Sequence, residues 1–155
     1  MVMEEKLKEL NISYQLVEHE AISTIEEAKS KNLSIDGIGC KCLFLKSKKK
    51  EYFLYTLLED KQVDLKELSM KLGVSRLHFS NAEDLERILG VIPGSVTPLG
   101  IINDIHNEVT LIFDKELRKK KILVCPNRNT ATMSILYEDL ITFVESLNHK
   151  IMEIE

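Results

Sequence analysis

The sequence predicts an α+β fold: a mixed, mostly antiparallel β-sheet with flanking helices. Three observations carry that expectation. Helical and strand periodicities interleave irregularly along the 155 residues, with no internal repeat and no low-complexity segment. Two apolar runs rich in Leu, Phe and Tyr, Gly37 to Lys46 and Glu51 to Leu58, are joined by a lysine-rich turn, which predicts a β-hairpin at the centre of the sheet. Finally, 44% hydrophobic residues in a chain of this length suffice for one buried core, and no linker-like stretch divides it, so residues 1–155 read as a single domain.

Each element has a local reason. Met3, Leu7 and Leu10 recur at helical spacing, so Met3 to Leu10 is predicted as a short amphipathic helix ending near Asn11. A strand follows over Ile12 to Val17. Ser23 or Thr24 can cap a helix with Glu26 and Glu27 in its first turn, running to about Asn32. After the hairpin, Asp64 with Glu67 marks a capped helix that closes at Gly73. Ser80 with Glu83 marks another that closes at Gly90. Strands are expected near Ile101–Ile102, over Val109 to Phe113 and over Ile122 to Val124, with a helical turn at Lys115 to Arg118. Thr132 to Ile135 reads as a core strand, Tyr137 to Leu147 as a helix with Leu140, Ile141, Val144 and Leu147 on its apolar side, and Ile151 to Ile154 as an edge strand.

Charge and cysteines bound the partners. A net charge of −4 does not mark the whole surface for nucleic acid, but two local basic runs could meet phosphates: Lys46, Lys48, Lys49 and Lys50, and Arg118, Lys119, Lys120 and Lys121. Each run also has the simpler reading of a solvated turn. Three cysteines, no signal peptide and no apolar stretch of membrane-spanning length point to a reducing, cytoplasmic setting with no membrane and no disulfide framework. The intervals between Cys40, Cys42, Cys125 and the four histidines fit no zinc spacing, so neither a metal nor another cofactor is expected.

Two segments stand out for chemistry. In Gly90-Val91-Ile92-Pro93-Gly94-Ser95-Val96-Thr97-Pro98-Leu99-Gly100, glycines and prolines surround two small hydroxyl residues, a composition suited to a stiff loop with accessible backbone groups. Pro93-Gly94 alone is an ordinary turn signal, and the hydroxyls of Ser95 and Thr97 in such a turn more often bond nearby backbone than a substrate. Lys41 is the sharpest single residue. Strand alternation puts it on one face with Leu43 and Leu45, while Cys40, Cys42 and Phe44 point the other way. A lysine on an interior face needs either a neutralising carboxylate or a cleft that keeps it available for an anionic ligand. The alternative is a strand-end lysine whose head reaches solvent.

Five pieces of this chain, in order, resemble one known family. They are His19-Glu20-Ala21-Ile22-Ser23-Thr24, Lys41-Cys42-Leu43-Phe44-Leu45-Lys46, Val63-Asp64-Leu65-Lys66, Leu89 to Gly100 with its Gly94-Ser95-Val96-Thr97-Pro98 matching a Gly-x-x-x-Pro element, and Asn129-Thr130-Ala131-Thr132. The family is that of the YbaK proteins, the stand-alone relatives of the editing domain inserted in bacterial prolyl-tRNA synthetases. The resemblance spans nearly the whole chain and implies a trans-acting hydrolase that removes a mischarged amino acid from tRNA. Alanine on the proline tRNA is the leading expectation, with the tRNA acceptor end as partner and prolyl-tRNA synthetase as a further one. It implies that Lys41 and Gly94 are the catalytic positions, Lys41 holding the terminal phosphate or the acylated end. Ser95, Val96, Thr97, Pro98 and Gly100 would line the wall that receives the aminoacyl group, with Cys125, Asn129 and Thr130 framing the pocket. Lys46, Lys48, Lys49, Lys50, Arg118 and Lys119 are then the candidates for contact with tRNA.

The chain departs from the family pattern at two places. Cys125 stands before Pro126 where the family commonly has histidine, which reshapes the pocket and opens cysteine or another small residue as the edited amino acid. Glu20 follows His19 where the family usually has proline, so His19 and Thr24 read as structural or rim residues. An activated ester asks little of its enzyme: a positioned water and backbone donors for the developing oxyanion suffice without a nucleophilic triad, and the terminal ribose 2′-hydroxyl can help activate the water. Two rival classes stand beside this reading. One is a non-catalytic module that binds the tRNA end or a synthetase, and the other is a cysteine redox or metal protein.

Overall fold

Residues 2–21 and 35–155 are described by a computed structural model, in which eight strands form one mixed sheet. In chain order the elements are α1 (Val2–Glu9), β1 (Gln15–Glu18), β2 (Ile38–Lys46), β3 (Tyr52–Leu58), α2 (Leu65–Leu72), β4 (His78–Phe79), α3 (Ala82–Leu89), two 3₁₀ turns (Pro93–Ser95 and Pro98–Asn103), β5 (Val109–Asp114), a 3₁₀ turn (Lys115–Leu117), β6 (Lys121–Val124), β7 (Ala131–Leu136), α4 (Tyr137–Ser146) and β8 (Ile151–Ile154). Across the sheet the order is β1-β7-β6-β2-β3-β5-β8, with β4 added to β2. The β1–β7, β6–β7, β2–β3 and β2–β4 pairings are antiparallel, whereas β2–β6, β3–β5 and β5–β8 are parallel. The expected α+β architecture and the central hairpin are both present, and β8 is an edge strand as its sequence suggested. The helix expected from Ser23 or Thr24 to Asn32 lies outside the described residues.

Alternation along the hairpin sorts its side chains between two cores. Phe44, Tyr52 and Leu54 join the larger one, where Met3 and Leu7 of α1, Leu85, Ile88 and Leu89 of α3, Leu99 and Ile101, and Leu140, Phe143 and Val144 of α4 pack against the sheet. Leu45, Phe53, Tyr55 and Leu57 face the other way and pack with Leu68 of α2, Leu77 and Ile112. Each fully buried Leu, Ile or Phe contributes about 1.5–3 kcal/mol, so the larger core supplies most of the driving force. Tyr52, Phe53 and Tyr55 are all buried, which makes them hairpin core.

The capping signals explain the helix ends, with one shift. Asp64 accepts from the Lys66 and Glu67 N–H groups at the start of α2, and Gly73 ends that helix at φ 69°. Gly90 ends α3 at φ 66°, a left-handed conformation that favours glycine. The cap of α3 is Asn81 and not the expected Ser80: Asn81 Oδ1 accepts from the Asp84 N–H at 2.7 Å, while Ser80 Oγ donates to the Asp84 carboxylate. A second correction concerns Ile101–Ile102, expected as a strand. Thr97 caps a 3₁₀ turn there, its hydroxyl accepting from the Leu99 N–H, and Pro98 presets the first helical φ, so both isoleucines are carried on a turn that reaches Asn103. The first strand begins at Gln15 and not Ile12, whose N–H bonds back to the Leu7 carbonyl and whose side chain is buried behind α1.

Candidate functional site

The lysine of interest sits in the middle of β2, opposite Leu57 on β3, and is half-buried. No hydrogen bond or ion pair joins its side chain to any other described residue. This rules out the strand-end reading, because five residues of β2 follow it before the turn. Of its two expected alternatives, a neutralising carboxylate or an open cleft, the local backbone supports the second. One edge of β2 is covered by β3 from Cys40 to Lys46. The other edge pairs with β6 only at Ile38 and Gly39 and with β4 only at Leu45 and Lys46. Between them the Phe44 carbonyl accepts from the Ser80 N–H, and Cys40 to Leu43 have no strand partner on that edge among the described residues. Lys41 therefore lies in a break in the sheet about 13 Å long, at ~3.3 Å per residue.

One loop borders that break and leads toward the glycine/proline segment. Extending the β2–β6 register by two residues puts Cys125 level with Lys41, just where β6 has ended and its chain turns away. The Cys125 thiol is close enough to Cys42 to act on it electrostatically. Beyond Cys125, Asn127 adopts φ 64° and carries its side chain toward Gly100, where a β-carbon would lie 3.7 Å from Asn127 Oδ1. The Cys125–Thr130 loop thus links the lysine strand to the glycine/proline segment. Asn129 is half-buried and Thr130 exposed, and the Thr130 carbonyl accepts from the His19 N–H. His19 is a fixed rim residue: its Nε2 lies 2.8 Å from Thr132 Oγ1 and its Nδ1 2.7 Å from the Glu20 carbonyl.

The glycine/proline segment is less open than its composition suggests. It folds into the two 3₁₀ turns, and Thr97, Pro98, Leu99 and Gly100 are buried against α3 and the larger core. Ile92 and Pro93 are exposed and Gly94 and Val96 half-exposed, so the accessible part of the segment is its first half. Ser95 and Thr97 separate here. The Thr97 hydroxyl is used by the backbone, whereas Ser95 Oγ is buried and has no partner among the described residues. Asn127 Oδ1 is in the same condition. Buried polar atoms are nearly always bonded, so each of these orphans marks a place where a ligand or water can complete the bonding. Asn127 carries little signal in the sequence, only its place between Pro126 and the Asn129-Thr130 pair.

Burial disfavours the thiolate at all three cysteines. Burial pushes Cys40 up to about 12, opposed by the Leu123 N–H and reinforced by Glu59, and burial likewise raises Cys42 and Cys125. No cluster of His, Cys, Asp and Glu among the described residues is arranged to hold a metal ion. Of the candidate tRNA contacts, Lys46 spends its charge on Asp84 at 3.0 Å and Arg118 forms a two-point pair with Glu153 at 2.6 and 3.0 Å. Lys48, Lys49, Lys50 and Lys119 are exposed, and their side chains make no ion pair with a described residue. No described helix is long and apolar enough to cross a membrane.

Comparison with known proteins gives this geometry a family. The model of the aminoacyl-tRNA editing domain matches residues 19–143. The prolyl-tRNA editing protein ProX of Acetoanaerobium sticklandii is 36% identical over 152 residues, covering 97% of this chain and 93% of the relative. The prolyl-tRNA synthetase associated domain-containing protein 1 of Danio rerio is 37% identical over 150 residues, covering 95% and 82%. Among solved structures, a hypothetical protein, APE2540, superimposes with a TM-score of 0.75 over 99% of this chain and 98% of its own. One described as a candidate trans-editing enzyme for prolyl tRNA synthetase superimposes with 0.69 over 92% and 86%. Both are 17% identical and bear on the fold alone. With a matched model that takes in Lys41, the glycine/proline segment and Cys125 together, this chain belongs to the aminoacyl-tRNA editing domain family.

Proposed function

We propose that this chain, acting as a single domain over residues 1–155, removes alanine from mischarged proline tRNA in trans, with its substrate in the cytoplasm. That it is an aminoacyl-tRNA deacylase follows from the family; the amino acid and the tRNA are the proposal. The observation that carries it is Lys41, a half-buried cation without a partner among the described residues, at a break in the sheet. Leaving an ammonium unpaired in such a place is costly, and an anionic ligand such as the terminal phosphate of an acceptor end offsets that cost.

The reaction needs no protein nucleophile. Water adds to the ester carbonyl, the acyl carbon–oxygen bond breaks, the ribose 3′-oxygen takes a proton and free amino acid leaves. In this reading Lys41 holds the acceptor end, the backbone at Gly94 to Val96 faces the carbonyl, and Ser95 Oγ and Asn127 Oδ1 complete the polar contacts. The raised cysteines agree with a water mechanism, since burial disfavours the thiolate form of each. Thr97, Pro98 and Gly100 hold the wall in place from behind. The need for such an enzyme is physical: a pocket made for proline rejects a smaller residue weakly, because each missing methylene is worth only ~1–3 kcal/mol, so a second sieve must remove what enters the first.

Cysteine on the same tRNA is the second reading, favoured by Cys125 in the position where the family commonly carries histidine. The deciding experiment measures release of labelled amino acid from proline tRNA charged separately with alanine, cysteine and proline. Rapid loss of alanine alone is the expected result. Loss of cysteine instead reassigns the pocket, and loss of none overturns the enzyme reading in favour of a module that binds the tRNA end or a prolyl-tRNA synthetase.

A further inference from the structure

Gly39 precedes Lys41 by two residues on β2 and so presents the same face of the strand. Across from it, past the end of β3, the Glu59 N–H donates to the Gly39 carbonyl at 3.1 Å, which puts Glu59 on that face too. Its carboxylate is folded directly over the glycine: a β-carbon at position 39 would lie 2.3 Å from Glu59 Oε2, 2.5 Å from Oε1 and 2.4 Å from the carboxyl carbon. Only a residue without a side chain leaves room for it. Glu59 is half-buried, and its carboxylate makes no hydrogen bond or ion pair with a described residue.

Since Lys41 pairs with Leu57, Lys41 and Glu59 are diagonal neighbours across the strand pair, a separation of about 7–8 Å that long side chains can close. They do not close it. A cation and an anion are thus held side by side on one face, both half-buried and both without a partner among the described residues. Mutual neutralisation is not their arrangement in the free protein.

The geometry points to Glu59 as the group that receives the α-ammonium of the aminoacyl ester while Lys41 engages the anionic end of the tRNA, an assignment that rests on the deacylase reading above. The substrate carries just this pair of charges: a phosphate on the nucleotide side and a protonated amino group on the acyl side. A carboxylate is the acceptor that makes the stronger, charge-assisted bond to such a group. It also gives the site a criterion separate from side-chain size, because it selects a free amino group over an acylated one.

The test compares alanyl proline tRNA with the same tRNA N-acetylated on the alanine, using wild type, Glu59→Gln and Gly39→Ala. Wild type is expected to prefer the free-amino substrate. Glu59→Gln keeps the shape and removes the charge, so it should raise KM for that substrate roughly tenfold to a hundredfold, the range of one charged hydrogen bond. For the acetylated substrate it should change KM by less than about twofold, since no charged bond is at stake there. Gly39→Ala, which displaces the carboxylate without deleting it, should act in the same direction. Equal loss on both substrates, or no loss on either, overturns the ammonium role while leaving the deacylase standing. A wild type that releases nothing overturns the deacylase itself and this assignment with it.

Discussion

Lys41 and Lys46 lie five residues apart on one strand, and the protein treats them oppositely. Lys46 is surrounded by partners: Asp84 accepts from it at 3.0 Å, the Tyr52 ring lies 5.3 Å from its Nζ, and the same Asp84 oxygen accepts from the Tyr52 hydroxyl and from Ser80. Arg87 approaches the other side of the network, donating to Tyr52 and Glu108. Among the described residues Lys41 has none of this. The same side chain is a strut in one place and has no described partner in the other, and what separates them is the backbone: β4 and α3 close over the strand at Lys46, while the edge at Lys41 has no strand partner among the described residues. A charge that is fully answered within the fold belongs to stability; one that is not belongs to a ligand.

That contrast can be broken in several ways. The largest expected effect is on turnover: Lys41→Ala should lower kcat/KM for the mischarged tRNA by about 10²–10³-fold, the scale of losing one preorganised polar group. Its thermal unfolding temperature should be unchanged or slightly raised, because an unanswered, half-buried cation has been removed. A matching loss of stability would instead place Lys41 among the struts. Asp84→Ala should do the reverse, since it strands Lys46, Tyr52 and Ser80 together, and thermal unfolding should show a drop of several degrees.

Ser95→Ala sharpens the comparison at the loop. Its hydroxyl has no partner to lose among the described residues, so stability should hold while kcat falls severalfold to tenfold in a steady-state deacylation assay; unchanged kinetics would reduce Ser95 to packing. Replacing Lys48, Lys49 and Lys50 together by serine tests whether a tip just past the end of β2, whose last residue lies about 17 Å along the strand from Lys41, meets tRNA. KM should rise by a few fold, and its dependence on salt should flatten by up to about one unit of slope for each phosphate left without a lysine.

The smallest effect concerns a charge pair far from the break. The Arg118 guanidinium and the Tyr137 hydroxyl both bond Glu153 and hold its carboxyl at about 2, below the ordinary 4.5. A carboxyl held low contributes stability that is complete above its unfolded value and is lost as protons are taken up. Wild type should therefore lose stability as pH falls from about 4.5 to about 2, and Glu153→Gln should be flatter through that window in a denaturant titration.

Local chemistry made much of this fold legible. The Asp64 cap, the left-handed glycines at 73 and 90, and the hairpin with its alternating faces are short-range features, and alternation alone places Lys41 with Leu43 and Leu45. Where two local signals competed, the sequence misled: Ser80 and Asn81 are both good caps, and two adjacent isoleucines read as strand until Thr97 and Pro98 are seen to start a turn. The parallel pairings β2–β6, β3–β5 and β5–β8 join segments far apart in the chain, and no local pattern encodes them. The break beside Lys41 depends on where β6 leaves β2, so it was equally hidden. The family resemblance drew Lys41, the glycine/proline segment and Cys125 into one group; it could not show that Thr97 is engaged while Ser95 is not, or that Glu59 lies over Gly39.

The stretch of β2 from Cys40 to Leu43, without a strand partner on one edge among the described residues, has one more consequence. An unpaired strand edge ordinarily invites another chain to add on and grow into an aggregate. Here β6 and β4 stand as shoulders at either end, and the interval between them is about four residues, shorter than the usual strand of about five or six. A passing β-strand is therefore blocked by its own length, and a backbone that must remain open can do so without becoming a template for fibres.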